Sequence, residues 1–413
     1  MTYLTAWVSH ALDGDIGSVA FDRASGRFLA SAALRRHQAD AVVMPMALSW
    51  DRRPATATAP AAASAGGQAG RPPARAEGPL LLAATRGEHR RIVAYRVIGG
   101  AGTGDAAQLA CMARAPIASS LAYLEIDPAG TTAIGASYGE NRVSVYDVDA
   151  LLRADQRAGG ADAADGADAA DADTSHSADA LVRPRQVIEG VAHAHAVVVS
   201  ADGRHVYVSA LGAGQVWCFA LRDGTLTVSE IVDVGADFGP RHMRLSADGA
   251  FLYVLSEFQA VVSTYARAPD TGRLSWRSTS PRSPGLSALI SGRARPNFSD
   301  PDQPDPSELA RWIWAADVQV SPDNRFLYLT ERTSSRIVVH EADGADGWRP
   351  VSWIDTETQP RGIAIDATGV YLFACGERSD FLSVYRIAAA TGALTLSDRC
   401  PVGKGANWIT LAD

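Results

Sequence analysis

Apolar and polar positions alternate along this chain in short runs, and seven of the runs end in a ring. They are I-G-S-V-A-F at Phe21, R-I-V-A-Y at Tyr95, R-V-S-V-Y at Tyr146 and Q-V-W-C-F at Phe219, then V-V-S-T-Y at Tyr265, R-I-V-V-H at His340 and F-L-S-V-Y at Tyr385. Such β-branched runs predict strands. A second phrase precedes most of them: S-A-D-G-R-H-V-Y-V-S from Ser200, S-A-D-G-A-F-L-Y-V-L-S from Ser246 and S-P-D-N-R-F-L-Y-L-T from Ser321, with weaker copies from Asp127 and Asp366. Each sets a tight turn between two alternating strands. A third phrase, P-D-T-G-R-L at 269–274 or A-T-G-A-L at 390–394, follows the ring. One repeat therefore reads strand A, turn, strand B, short loop, strand C with its ring, turn, strand D.

The rings are spaced 74, 51, 73, 46, 75 and 45 residues apart, and 49 separate Tyr385 from Phe21 across the two ends. A period of 40 to 50 residues with strand chemistry predicts an all-β, seven-bladed propeller of four-stranded blades. The expectation is one domain over residues 1–413, with inserts at about 54–78, 152–183 and 279–308 accounting for the three long intervals. The first insert, rich in Ala, Pro and Gly, replaces an A–B turn. The second is an Ala/Asp tract. Neither composition can bury enough apolar surface to fold alone. The third leads into Trp312 and Trp314, so order is expected in its distal part. Residues 407–412 lack a partner in their own repeat, and residues 2–9 read as a strand B without its A. Pairing them would close the ring and cover both edges.

The net charge of −8 argues against a nucleic-acid partner. Much of that charge is local, because residues 154–180 hold seven Asp against one Arg. No D-x-[DN]-x-[DN]-G loop marks a calcium site there. Lys404 is the single lysine, so an anion site must mostly use arginine forks. Four scattered cysteines need no disulfide framework, and the N-terminus shows neither a basic leader nor an apolar run. With no apolar stretch of membrane-spanning length, the expected setting is cytoplasmic, with no membrane partner and a monomer as the default.

Strands A and B are antiparallel, so the start of A and the end of B share one rim. Five residues before the Ser/Asp of the turn phrase stand Met44, Ala122, His195, Arg241, Ala316 and Arg361. Eleven residues after it stand Tyr138, Leu211, Glu257, Arg332 and Glu377. Asp317 and His242 lie one residue further on from Ala316 and Arg241. A charged strand end is most often simply solvated. Convergence of His, Arg and Glu on one funnel, with Arg241 and Arg361 each following a proline, points instead to anion binding. His193 is a weaker candidate than His195. His205 and His340 fit structural roles, and Glu377 with Arg378 fits a surface pair. No G-x-S-x-G, H-E-x-x-H, P-loop or G-x-G-x-x-G is present, and the lone Trp50–Asp51 dipeptide argues against a WD40 array.

G-P-R-H-M at 239–243, W-A-A-D at 314–317, S-P-D-N-R-F-L-Y-L-T-E-R-T at 321–333 and T-E-T-Q-P-R-G at 356–362 resemble the seven-bladed lactonase family, which includes bacterial 6-phosphogluconolactonases and fungal carboxy-muconate lactonizing enzymes. The resemblance implies hydrolysis of a sugar δ-lactone, such as 6-phosphogluconolactone, without metal or cofactor. It places the catalytic set on His195, Glu257, Arg241 and Arg332. Substrate-binding candidates are then His242, Asp317, Arg361, Glu357 and Gln359. The sequence departs from the family's pattern at Val198 and in S-E-F-Q around Glu257. Two alternatives stay open: a lactonase or lactonizing enzyme for another carboxylated substrate, and a non-catalytic binding platform. Either Glu257 or His195 could serve as the base.

Overall fold

The computed structural model describes residues 2–29, 34–38, 45–51, 79–87, 89–100, 105–154, 181–294, 304–344 and 346–412. Its strands form seven antiparallel sheets, each ordered A-B-C-D from the inside outward. In blade 1, strand A is Ala406–Ala412 and strand B is Tyr3–His10; strand C, Asp15–Asp22, pairs on its outer side with Arg27–Phe28 and Arg35–Gln38. Blade 2 comprises Pro45–Asp51, Leu80–Thr85, Arg91–Ile98 and Gln108–Pro116. Blade 3 comprises Tyr123–Ile126, Thr132–Ser137, Arg142–Asp147 and Gln186–Glu189; blade 4 comprises Ala194–Val199, His205–Ala210, Gln215–Arg222 and Thr225–Asp233. Blade 5 is built of Pro240–Leu245, Phe251–Ser256, Val262–Arg267 and Leu274–Thr279. Blade 6 contains Ala315–Val320, Phe326–Glu331, Arg336–Asp343 and Gly347–Asp355; blade 7 contains Pro360–Ile365, Tyr371–Gly376, Phe381–Ile387 and Leu394–Pro401. The terminal strands pair antiparallel in blade 1, from Thr5 opposite Ala412 to His10 opposite Ala406, and so join the two ends of the ring.

The repeated phrases have distinct structural jobs. Every strand-C ring is buried and lies opposite an apolar strand-B residue, for example Phe21 opposite Leu4, Tyr265 opposite Leu252 and His340 opposite Leu327. In blades 2, 4, 5, 6 and 7 the C–D ladder slips one residue immediately before the ring. Such a bulge strengthens the local twist of the strands. In the turn phrase, Ser200, Ser246 and Ser321 each donate to the Asp two residues on, at 2.5 Å. Each hydroxyl also accepts the amide that opens strand B. In the weaker copies Asp127 and Asp366 supply the acceptor oxygens themselves.

The core is distributed around the ring. Seven apolar clusters occupy the seven interfaces between neighbouring blades, such as Tyr253, Leu255, Ile313, Val318 and Leu329 between blades 5 and 6. Each blade buries both faces, which explains strands that are apolar almost throughout.

The interruptions fall between strands A and B of blade 2, between C and D of blade 3, and between blades 5 and 6. Residues 52–78, 155–180 and 295–303, which hold all of the first expected insert, most of the second and a part of the third, lie outside the described residues. Just ahead of the second insert, expected from about residue 152, stands an element that the sequence reading missed. It is a short helix, Val148–Leu152, capped by the Asp147 carboxylate on the Ala150 amide. The third insert is ordered at its distal end. Pro306–Leu309 is helical there, and Trp312 bridges to Ile290.

Candidate active site

The backbone at the start of strand A is irregular where the rim candidates sit. In blade 4, Ala194 pairs with Ala210 and Val197 with Val208, so His195 and Ala196 together face one residue of strand B. Arg241 and His242 in blade 5 and Ala316 and Asp317 in blade 6 occupy the same two-against-one bulge. In blade 7, Arg361 is the extra residue between Pro360 and Gly362. A bulge re-aims side chains that regular pleating would alternate. The rim positions at the end of strand B lie one residue past the ladder, in the B–C loops.

These side chains converge. A cavity of about 160 Å³ is lined by His195, Arg241, Glu257, Arg332 and Arg361 together with Arg86, Ala122 and Tyr138. Glu257 is its organising anion. Arg332 Nη2 donates to Glu257 Oε1 at 2.6 Å, and Arg241 Nε lies 3.1 Å from Oε2. The guanidiniums are themselves held from behind. Arg332 Nε donates to the Trp314 carbonyl at 2.9 Å, and Arg241 Nη1 donates to the Ala316 carbonyl. The ordered end of the third insert therefore supports Arg332. Arg361 donates to Glu377. The sequence reading sets Glu377 beside Arg378 as a surface pair and does not join it to Arg361.

His242 and Asp317 come together but do not line the cavity. His242 Nδ1 lies 2.7 Å from Asp317 Oδ1, and the Asp317 carboxylate also accepts the amides of Val318 (2.8 Å) and Ile363 (3.1 Å). This buried pair stands behind His195, with 5.4 Å between the two imidazole centroids. Glu357 and Gln359 lie elsewhere. The Glu357 carboxylate is taken by Nε and Nη2 of Arg399 at 2.7 and 2.8 Å and by the hydroxyls of Ser379 and Ser383, so it is saturated inside blade 7. Gln359 shapes the loop ahead of Arg361. Its φ is +53°, its amide donates to Ser335 Oγ, and its carbonyl accepts the Glu377 amide.

Among the other candidates, His193 stacks on Tyr138 at 4.3 Å, and His205 Nδ1 sits 2.8 Å from Arg267 Nη2. Leu211 is buried beside the rim. Met44 lies outside the described residues.

The sequence reading missed Arg86. It follows Thr85 as Tyr138 follows Ser137 and Glu257 follows Ser256, so it holds the same strand-B end position in blade 2. The insert in that blade removes the turn phrase from which the position was counted. Counting back from Tyr95 would find it, with allowance for a B–C loop one residue longer than in blade 3.

Electrostatics sort the groups by protonation state. Burial pushes the Glu257 pKa up, but Arg332 and Arg241 outweigh it and hold the carboxyl below its usual range. His195 is driven well below the ordinary imidazole value, by burial first and then by Arg241, His242, Arg361 and Arg332. It is therefore neutral at pH 7, with Nδ1 buried and without a hydrogen-bond partner. Burial also takes His242 down to about 4, against the opposing pull of Asp317. The Asp317 carboxyl falls to about 2, because His242 and Arg244 overcome its burial. Four guanidiniums against the two carboxylates of Glu257 and Glu377 leave an excess of positive charge at the cavity, as an anion site requires. Among the described residues, no three His, Cys, Asp or Glu side chains group as a metal site.

The family model for lactonases of the seven-bladed β-propeller type matches residues 74–411. The chain belongs to the seven-bladed β-propeller lactonase family. Within it, the chain is 30% identical over 325 residues to a 6-phosphogluconolactonase of Photorhabdus laumondii, covering 78% of this chain and 81% of the relative. It is 29% identical to one of Cronobacter sakazakii, over the same shares of the two chains. By fold it is similar to the periplasmic gluconolactonase of Pseudomonas aeruginosa, with a TM-score of 0.67 and 19% identity over 100% of this chain and 99% of that one. A Lactobacillus plantarum protein superposes equally well, with a TM-score of 0.67, 16% identity and full coverage of both chains.

Proposed function

We propose that this lactonase opens a sugar-derived δ-lactone carrying a second anionic group, with 6-phospho-D-glucono-1,5-lactone as the preferred substrate. The observation that carries this reading is the ring of Arg86, Arg241, Arg332 and Arg361 around a buried, neutral His195. Relatives named 6-phosphogluconolactonase, matched over 78% of the chain, support it.

In this mechanism His195 takes a proton from water as the water oxygen bonds to the lactone carbonyl carbon. Arg241 and Arg332, held in place by Glu257, neutralise the oxyanion. The bond from that carbon to the ring oxygen then breaks, and His195 returns its proton to the leaving oxygen. The product is the open-chain acid. Arg361 and Arg86 receive the phosphate. Substrate binding also assists the base, because a phosphate on these guanidiniums offsets the field that suppresses the pKa of His195. The pair of His242 and Asp317 stands behind His195 and keeps its surroundings fixed. No step calls on a metal or cofactor.

A carboxylated lactone is the second reading. Arg241 and Arg332 already hold one carboxylate, that of Glu257. The deciding experiment compares acid release from 6-phosphogluconolactone, glucono-δ-lactone and a muconolactone. A strong preference for the phosphorylated ester supports the first reading, and preference for the muconolactone supports the second. Absence of turnover on all three would leave a binding platform. We further place the protein in the cytoplasm as a monomer. No helix among the described residues is long and apolar enough to cross a membrane.

A further inference from the structure

The C–D turns close most blade interfaces at the end of the ring away from the arginine-lined cavity. Two residues before the inward apolar residue of strand D, buried Leu226 and Leu274 or partly buried Phe28 and Leu394, stands a glycine: Gly26 in blade 1, Gly224 in blade 4, Gly272 in blade 5 and Gly392 in blade 7, with φ between +66° and +70°. These turns press against the preceding blade. A Cβ on Gly272 would come within 2.4 Å of His205, and one on Gly392 within 2.4 Å of Phe326. The strand-B tyrosine of the preceding blade then clasps the turn. Tyr207 Oη donates to the Gly272 carbonyl at 2.8 Å, and Tyr328 Oη to that of Gly392 at 3.0 Å.

Blade 6 departs from this pattern. Its corresponding position, two residues before buried Trp348, is Asp346. Here Ser278 Oγ of blade 5 donates to the Asp346 carbonyl at 2.5 Å, and among the described residues Tyr253 of blade 5 makes no hydrogen bond to the turn. A cavity of about 210 Å³ opens instead, with Phe251, Tyr253 and Trp348 among its walls and Asp248 and Asp346 contributing carboxylates. A second departure from the repeat meets it there. The residue before the strand-C ring is Ala20, Ala94, Val145, Cys218, Val339 or Val384 in the other blades, but Thr264 in blade 5. Thr264 lies directly opposite Tyr253, is 1% exposed and lines the cavity. Its hydroxyl has no hydrogen-bond partner. A buried hydroxyl without a partner costs free energy that a ligand would recover.

We propose that this cleft between blades 5 and 6 is a second binding site, taking a small organic cation with a primary ammonium group. Aromatic faces attract a cation, and desolvation strengthens the attraction. The two carboxylates supply the counter-charge. Asp248 is kept ionised by hydrogen bonds from Ser246 and Ala250. Arg277 Nε lies 3.7 Å from Asp346 Oδ2, outside hydrogen-bond distance. The Thr264 hydroxyl accepts one N–H of the ammonium. The proposal is independent of which lactone the family site takes.

Calorimetric titration of the full chain with n-butylammonium, glucose and acetate at low salt tests the idea. The expected result is saturable binding of n-butylammonium alone, weakened at least tenfold by both Asp346→Asn and Thr264→Val, with lactone hydrolysis unchanged. Thr264→Val copies blades 6 and 7 at this position, and Asp346 lies on a surface turn, so both variants keep the fold; unchanged melting temperatures check this. Three results would overturn the proposal: no saturable binding of n-butylammonium, unchanged affinity in both variants, or preferential binding of glucose.

Discussion

At one end of strands A and B, Ser200, Ser246 and Ser321 hold Asp202, Asp248 and Asp323 at 2.5 Å, inside a single turn of a single blade. At the other end, eleven residues after two of those serines, Glu257 and Arg332 bind each other across two blades, and Arg241 joins them. Both ends carry charge, and both were visible as clusters in the sequence. The turn carboxylates recur from blade to blade because each solves the same local problem, satisfying the amides and hydroxyls of a tight turn. The rim groups differ from blade to blade because they satisfy one another. Local, repeated polarity supports the fold, whereas unrepeated polarity that reaches between blades builds the cavity.

Substitution at the two ends should therefore have different consequences. Glu257→Gln has the largest expected effect. It removes the anion between two guanidiniums, and lactone turnover should fall ~100- to 1,000-fold. Stability should also fall by about 3–5 kcal/mol, the usual loss when a buried ion pair is broken. Steady-state kinetics and chemical denaturation measure the two effects; full activity would remove Glu257 from the site.

His340 tests whether an unrepeated polar residue can also be a pure cost. It takes the place of the Phe or Tyr at the end of strand C, is fully buried, and has no partner on either ring nitrogen. His340→Phe should stabilise the protein by about 1–3 kcal/mol and leave turnover unchanged. Burial lowers its pKa to about 4, so below the ordinary imidazole value of 6.5 the unfolded chain binds a proton that the folded chain does not. Stability should decline as pH falls from about 6.5 towards 4, and more shallowly in the variant. Thermal melts across this range check both statements.

A smaller effect is expected at Arg86. Arg86→Ala should raise KM for a phosphorylated lactone about tenfold and leave KM for the unphosphorylated analogue almost unchanged, since one charged hydrogen bond is worth about 1.5–3 kcal/mol. Equal changes for both substrates would remove Arg86 from phosphate binding. Ser246→Ala should have the smallest effect. Loss of one turn hydroxyl costs about 1 kcal/mol and leaves kcat/KM unchanged, as parallel melts and assays would show.

The seven rings, the turn phrases and their spacing were enough to count the blades and to set the strands in order. They also brought His195, Arg241, Glu257, Arg332 and Arg361 to one rim, because period and antiparallel pairing are properties of the chain itself. Tertiary structure decided how those residues are arranged. The bulges that swing His195, Arg241 and Arg361 round the rim come from strand pairing, which no local run encodes. Arg86 was hidden because an insert displaced its reference turn. Glu357 and Gln359 were read from a phrase that forms the loop before Arg361, and neither lines the cavity. The cleft beside Asp346 and Thr264 exists only where two blades meet, since an empty space is defined by what both neighbours leave unfilled.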